Sequence, residues 1–282
     1  MASVYHWSVS EKCEALTTEV FPHHLEPALD GLPRDYFERY SPDRNWRNEY
    51  DIVYIRSFPF TRRLPKRQVY YGDFSISKSD AGVRGGACLS VVQTIHTPQA
   101  GDRNRLRTEL ELGISQDDVS SLTPDAVWHL KNTVFDDETG SRIDRYSTLE
   151  EWGRLTAKGV VESSDDGVDF RPRIHCNTGT SAPISSNWGI IDAVGRLARQ
   201  EKRNELGFGM LQNLDLYKPN QRLVFLERFE FAIAEKRIPL NGYCQIGEGI
   251  LPSYYWVTDS GLLLLARFGL MAYVYKAGGN TQ

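Results

Sequence analysis

Residues 185–200 read SSNWGIIDAVGRLARQ, and the reading of that stretch decides the rest of the chain. Wound at the helical period, Trp188, Ile190, Ile191, Ala193, Val194, Leu197 and Ala198 leave little polar face, and a helix without one is a buried helix. Gly189 and Gly195 each give up roughly 1 kcal/mol of helix propensity relative to Ala. Two such residues predict other backbone packed close against the helix. Asp192 is its only acid, and Arg196 follows at the i,i+4 spacing of an ion pair. Ser185 or Ser186 supplies a hydroxyl to cap the start.

On both sides of this helix the period is two rather than 3.6. Before it, strands are predicted at residues 50–58, 68–77, 88–97, 105–112 and 126–135, with a short helical link at 149–152 and further strands at 155–162 and 168–175. The fourth of these strands shows the pattern most cleanly: Leu106, Thr108, Leu110 and Leu112 alternate with Arg105, Arg107, Glu109 and Glu111, as in a strand with one wet face. After the helix, Gly207 and Gly209 read as breakers. Strands are then predicted at 222–234, 240–246, 252–257, 262–268 and 270–276. The alternation slips at Glu227, which predicts a bulge.

The fold class that follows is mainly β (α+β): a curved antiparallel sheet or half-open barrel wrapped around one central buried helix. No Pro/Ser-rich linker divides the chain, so residues 1–282 are expected to form a single domain. Within it lie a helix and loop arm (1–49), a first β meander (50–175), the central helix (185–200) and a second β meander (222–276).

Composition narrows the function. Apolar residues make up 40% of the 282, aromatics 11% and charged residues 25%, with a net charge of −4. A nucleic-acid binder normally carries a basic excess, and no apolar run is long enough for a membrane helix. The N-terminal residues lack the basic and apolar regions of a secretory signal, so the expected location is cytoplasmic. Cys13, Cys88, Cys176 and Cys244 are scattered, without the paired spacing of a zinc site. His23 and His24, adjacent on the chain, point apart when extended. Phosphate-loop, serine-hydrolase and zinc-protease motifs are missing, and Gly82, Gly85 and Gly86 sit in a strand-to-strand turn without a helix N-terminus behind them. No metal and no cofactor is expected. The loop at 61–67, with Arg62, Arg63, Lys66 and Arg67, is too short for a nucleic-acid groove.

The remaining chemistry points to a pocket. A buried Asp192 either pairs with Arg196 or has its pKa raised by desolvation, which suits general acid–base work. Glu248 lies between two glycines in a segment that continues to Tyr254, Tyr255 and Trp256. His175 and Cys176 end a strand just before the helix, although adjacent residues make a poor dyad. Glu109 and Glu111 share a strand face, but beside Arg105 and Arg107 they read as a solvated one. The functional expectation is a cofactor-independent acid–base enzyme (lyase, isomerase, cyclase or hydrolase) acting on a small, largely apolar or cyclic molecule. Asp192 and Glu248 would be acid and base, Tyr254 and His175 donors or relays, and Trp256, Arg196 and Trp188 would hold the substrate. The alternative is a non-catalytic carrier of a hydrophobic small molecule using the same cavity, and a third is a structural protein with no pocket. The partner in the first two is a small molecule, with no nucleic acid and no membrane; a homodimer is compatible with all three.

Overall fold

A computed structural model describes residues 36–54, 69–80, 86–96, 104–136, 138–143, 148–176, 182–200, 205–233, 236–269 and 271–276. Fifteen strands among them form one sheet. A short helix α1 (Tyr36–Arg39) precedes β1 (Trp46–Tyr54), β2 (Val69–Ser79), β3 (Gly86–His96), β4 (Asn104–Ser115), β5 (Val127–Asp136), β6 (Thr148–Leu155), β7 (Val160–Ser164) and β8 (Arg171–His175). The short β9 (Ile184–Ser186) leads into helix α2 (Gly189–Leu197). There follow β10 (Leu206–Gln212), β11 (Leu216–Ile233), β12 (Lys236–Ile246), β13 (Ser253–Thr258), β14 (Leu263–Phe268) and β15 (Met271–Tyr275).

The spatial order runs from β8 down to β1, then from β15 down to β9, so β1–β8 and β10–β15 are each built from sequential hairpins. The two meanders join where β1 pairs with β15, Tyr50 opposite Tyr275 and Ile52 opposite Tyr273. Only the β9–β10 pair is parallel. The sheet is strongly curved and does not close, giving a half-barrel with α2 on its concave face. Near the gap, the amide of Leu122, in the β4–β5 connection, donates to the Ile184 carbonyl of β9 at 2.7 Å.

Helix α2 is as buried as its sequence requires: Ile190, Ala193 and Val194 have no exposed surface. Its glycines meet backbone. A Cβ on Gly189 would stand 2.7 Å from the Ser120 carbonyl oxygen, and one on Gly195 would stand 2.7 Å from that of Gly261. The helix begins at Gly189, later than its serines, because Ser185 and Ser186 belong to β9. Ser186 still serves the helix end, since its hydroxyl accepts the Gly189 amide at 3.0 Å.

Pairing settles two segments against their local signals. Residues 149–152, expected as a helical link, lie inside β6, where Leu149 opposes Asn132 and Glu151 opposes Leu130. Four residues are too few to form a stable helix on their own, so cross-strand pairing decides. Gly207 and Gly209, expected as breakers, lie inside β10. Gly209 is needed there because a Cβ would stand 2.8 Å from the Tyr217 ring. The bulge expected at Glu227 is present, as a register shift against β12 between Phe225 and Glu227. No helix among the described residues is long and apolar enough to cross a membrane. The readings of Cys13, His23, His24, the 61–67 loop and the glycines at 82 and 85 fall outside the described residues.

Candidate functional site

The strands of the first meander change character along their length. On β4 the inward residues Leu110, Leu112 and Ile114 are buried, whereas Leu106 and Thr108, nearer the strand start, are only half-buried. On β3 the same change runs the other way, from buried Ala87, Leu89 and Val91 to half-buried Gln93 and Ile95. The antiparallel register brings the half-buried ends together, with Gln93 opposite Thr108 and Ile95 opposite Leu106. The half-barrel therefore has two ends.

The packed end is locked by an ion cluster. Asp192, 1% exposed, accepts from Lys78 Nζ at 3.1 Å through Oδ1. Its Oδ2 accepts from Arg196 Nε at 3.0 Å and from the Ser120 hydroxyl at 2.7 Å. Two cations thus face one acid, and backbone carbonyls take up the surplus. Lys78 Nζ donates to Pro42 at 2.7 Å, and Arg196 donates to Gln116 at 3.1 Å and also to Asp117. Ser120 reaches this position with a positive φ of 47°. The carboxylate ties α2 to β2 and to the β4–β5 connection, and both its oxygens are occupied.

The open end holds a groove of about 530 Å³. Its floor is the concave face of β3–β6 together with Phe268, Met271 and Tyr273, and its roof is Asn187, Trp188 and Ile191 with the 212–215 turn. Across the floor runs a row of neutral polar groups. Asn132 pairs with Thr108, and Thr108 with Gln93, on three adjacent strands. The Thr108 hydroxyl donates to Asn132 Oδ1 at 2.7 Å. Gln93 in turn hydrogen-bonds the Tyr273 phenol, whose pKa burial pushes up to about 12, Gln93 opposing the shift. Tyr273 stacks on Phe74 at 4.7 Å between ring centres and leans on Phe268 at 5.0 Å. Leu106, Ile95, Leu130 and Leu149 frame the row with apolar surface. At the rim, Arg173 of β8 donates to Glu151 of β6 at 2.7 Å and also to Asp215 of the β10–β11 turn.

Of the residues singled out in the sequence, Trp188 lines this groove and the others stand elsewhere. Asp192 and Arg196 are in the ion cluster. Glu248 is on the exposed β12–β13 turn, where Asn220 Nδ2 donates to it at 2.8 Å. The packed end meets β13 at the opposite, Thr258–Gly261 side, where Gly195 abuts Gly261. Asp192 and Glu248 therefore do not converge on one cavity. Tyr254 and Trp256 stack at 6.0 Å on the face of β13 opposite to Tyr255. Tyr255, fully buried, shares the concave face with Tyr273 and donates to Gln245 Oε1 at 3.0 Å. His175 is exposed at the end of β8, and burial raises the neighbouring Cys176 thiol to about 11, which disfavours a nucleophilic thiolate. No group of metal-binding side chains occurs among the described residues.

Two features escaped the sequence reading although a signal existed. Lys78 follows Phe74 and Ile76 at the inward positions of β2, so a lysine there had to find a buried acid. Gln93, Thr108 and Asn132 likewise occupy inward positions of alternating strands, where a polar residue marks either a network or a cavity.

The chain matches no family model and no curated protein. Among solved structures it is similar to a crystal structure described as a β-barrel-like protein of domain of unknown function DUF1849 from Brucella abortus, at 8% identity, with a TM-score of 0.46, covering 82% of this chain and 95% of that one.

Proposed function

We propose that this protein is a non-catalytic binding protein for a small molecule with an apolar body and hydrogen-bonding groups along one side. The observation that carries this reading is the groove floor: a neutral Asn132–Thr108–Gln93 row, extended by Tyr273, framed by Leu106, Ile95, Leu130 and Leu149. The volume falls in the range of small-molecule sites, which combine apolar walls with a few placed polar groups. Three strands place the row over about 10 Å, the span of two inter-strand spacings. An acid–base enzyme needs a group that exchanges a proton with its substrate near the working pH, and the Tyr273 phenol, raised to about 12 by burial, is poorly placed to do so. The two carboxylates lining this groove, Glu151 and Asp215, are both held by Arg173, and Asp192 is saturated at the packed end. Binding without turnover therefore accounts for more of the geometry than catalysis does.

The test is titration with the neutral, environment-sensitive dye Nile red. Saturable binding is expected at micromolar concentration, and Thr108→Trp, which fills the groove, should abolish it while the melting temperature stays within a few degrees. Dye binding untouched by Thr108→Trp would place any site elsewhere and refute the reading.

A further inference from the structure

The groove is neutral except at its rim, where three charged side chains meet: Glu151 and Asp215 against the single guanidinium of Arg173. Resting on the binding-protein reading above, we infer that the groove selects amphiphiles with a cationic head group, of the ammonium class, over the carboxylates that hydrophobic-ligand carriers with a rim arginine would take. Three observations lead there. The first is charge: two acids and one base leave the rim at a formal −1, which an ammonium head would neutralise and a carboxylate head would double.

The second is valence. Arg173 gives Nη1 to Glu151 Oε1 and Nη2 to Asp215 Oδ1, so its single positive charge is already shared between two acids before a ligand arrives. Each acid is engaged through one oxygen only. Glu151 Oε2 and Asp215 Oδ2 have no partner among the described residues, and a carboxylate oxygen is an acceptor with no donor of its own. An ammonium group can dock on these oxygens without breaking either contact of Arg173.

The third is the wall. Trp188 lines the cavity next to Asn187, whose Oδ1 accepts the Asn213 amide of the turn that carries Asp215, and aromatic faces attract cations through the ring quadrupole. Tyr273, with its pKa near 12, stays a neutral phenol at any working pH and adds no charge to the count. Glu151 is the better-sheltered acid, its side chain 20% exposed against 63% for Asp215, so it is the principal contact for the head group.

Three probes of equal chain length separate this from the broader reading: dodecylammonium, dodecanol and dodecanoate, titrated calorimetrically below their micellar concentrations at low and moderate salt. The expected order of affinity is ammonium above alcohol above carboxylate, with roughly tenfold between the first and last and a narrowing as salt screens the rim. Glu151→Gln should remove most of the ammonium probe's advantage over dodecanol, and an undiminished ratio would overturn the role of this acid. Carboxylate binding tighter than alcohol, or equal binding of all three, overturns the charge selection and leaves the groove reading standing. Failure of all three probes to bind, together with loss of the Nile red signal, overturns both.

Discussion

Replacing Asp192 with Asn is expected to destabilise the protein severely, and the reasoning can be checked in a single unfolding series. Asn is nearly isosteric with Asp, so packing of α2 is preserved and the change is electrostatic. Lys78 and Asp192 are 1% and 0% exposed at the side chain, and Arg196 is 10% exposed. Asn keeps one acceptor oxygen but loses the charge and the second acceptor, so Lys78 and Arg196 stay buried as two cations held by neutral groups: the Pro42 carbonyl for Lys78, and the Gln116 and Asp117 carbonyls and the Ser120 hydroxyl for Arg196. Removing one member of a buried ion pair costs about 3–5 kcal/mol, a large share of the roughly 5–15 kcal/mol by which a domain is stable. Lys78→Met is expected to cost less, about 1–3 kcal/mol, because Asp192 keeps Arg196 and Ser120 and only part of its hydrogen bonding is lost. Urea unfolding followed by tryptophan fluorescence measures both; at about 3 kcal/mol per molar the first substitution moves the midpoint by about 1–1.7 M. The double variant should fall short of the sum by at least about 1 kcal/mol, since the two groups touch. An Asp192→Asn protein with an unchanged midpoint would refute the structural role and return the carboxylate to the list of groups free for chemistry.

Gly195→Ala forces a Cβ to 2.7 Å from the Gly261 carbonyl and should cost about 1–3 kcal/mol, whereas Gly207→Ala, with nothing within 4 Å, should stay within about 0.5 kcal/mol in the same assay. Cys176, raised to about 11 by burial, should resist iodoacetamide at pH 8 in the folded protein and react once it is unfolded; rapid native labelling would show an accessible thiolate. Asp166 is lowered from 3.8 to about 2, chiefly by the Ser164 hydroxyl and then by the Val168 and Asp169 amides. Because the folded value is depressed, its contribution to stability is complete above about pH 3.8 and is lost as pH falls through about 2. A carboxyl-carbon titration midpoint near the ordinary aspartate value would contradict the turn geometry.

The β-rich architecture was legible in the chain because period-two alternation on both sides of one largely apolar helix points to a single arrangement, strands around a buried helix. Residues 149–152 were misread because TLEEWGRL has no strong alternation of its own; its strand state comes from β5 and β7 on either side. The site was less legible for a related reason. Asp192 and Arg196 advertise a pair through helix spacing, but Lys78 lies 114 residues away in sequence, and no local pattern announces which acid it will meet. Glu248, Tyr254 and Trp256 looked like pocket residues from their chemistry alone. Whether they share a cavity depends on which face of β13 turns inward, and that is fixed by the pairing of Tyr255 with Tyr243 and Ala266.

The groove itself follows from a mismatch of lengths. Strands of 11 and 12 residues, such as β3 and β4, extend about 36–40 Å at the strand rise. The nine residues of α2 extend only about 14 Å at the helix rise, and a helix is about 10 Å across. Such a helix covers part of the concave face and leaves the remainder without a partner. The inward residues register this boundary. Ala87, Leu89 and Val91 on β3 and Leu110, Leu112 and Ile114 on β4 stand at the covered end, while Gln93 and Thr108 take the same face at the uncovered end. Had the uncovered end been wholly apolar, it would have been an exposed hydrophobic patch prone to association; had it been charged, its ions would have repelled an apolar guest. A neutral polar row inside an apolar frame avoids both. Substituting Thr108 and Asn132 together with Val and Leu should therefore raise Nile red affinity severalfold while making the protein more prone to self-associate at high concentration, and sedimentation velocity reads the second effect directly. Increased dye affinity with no change in association would mean that the polar row serves the ligand alone and not the solubility of the open end.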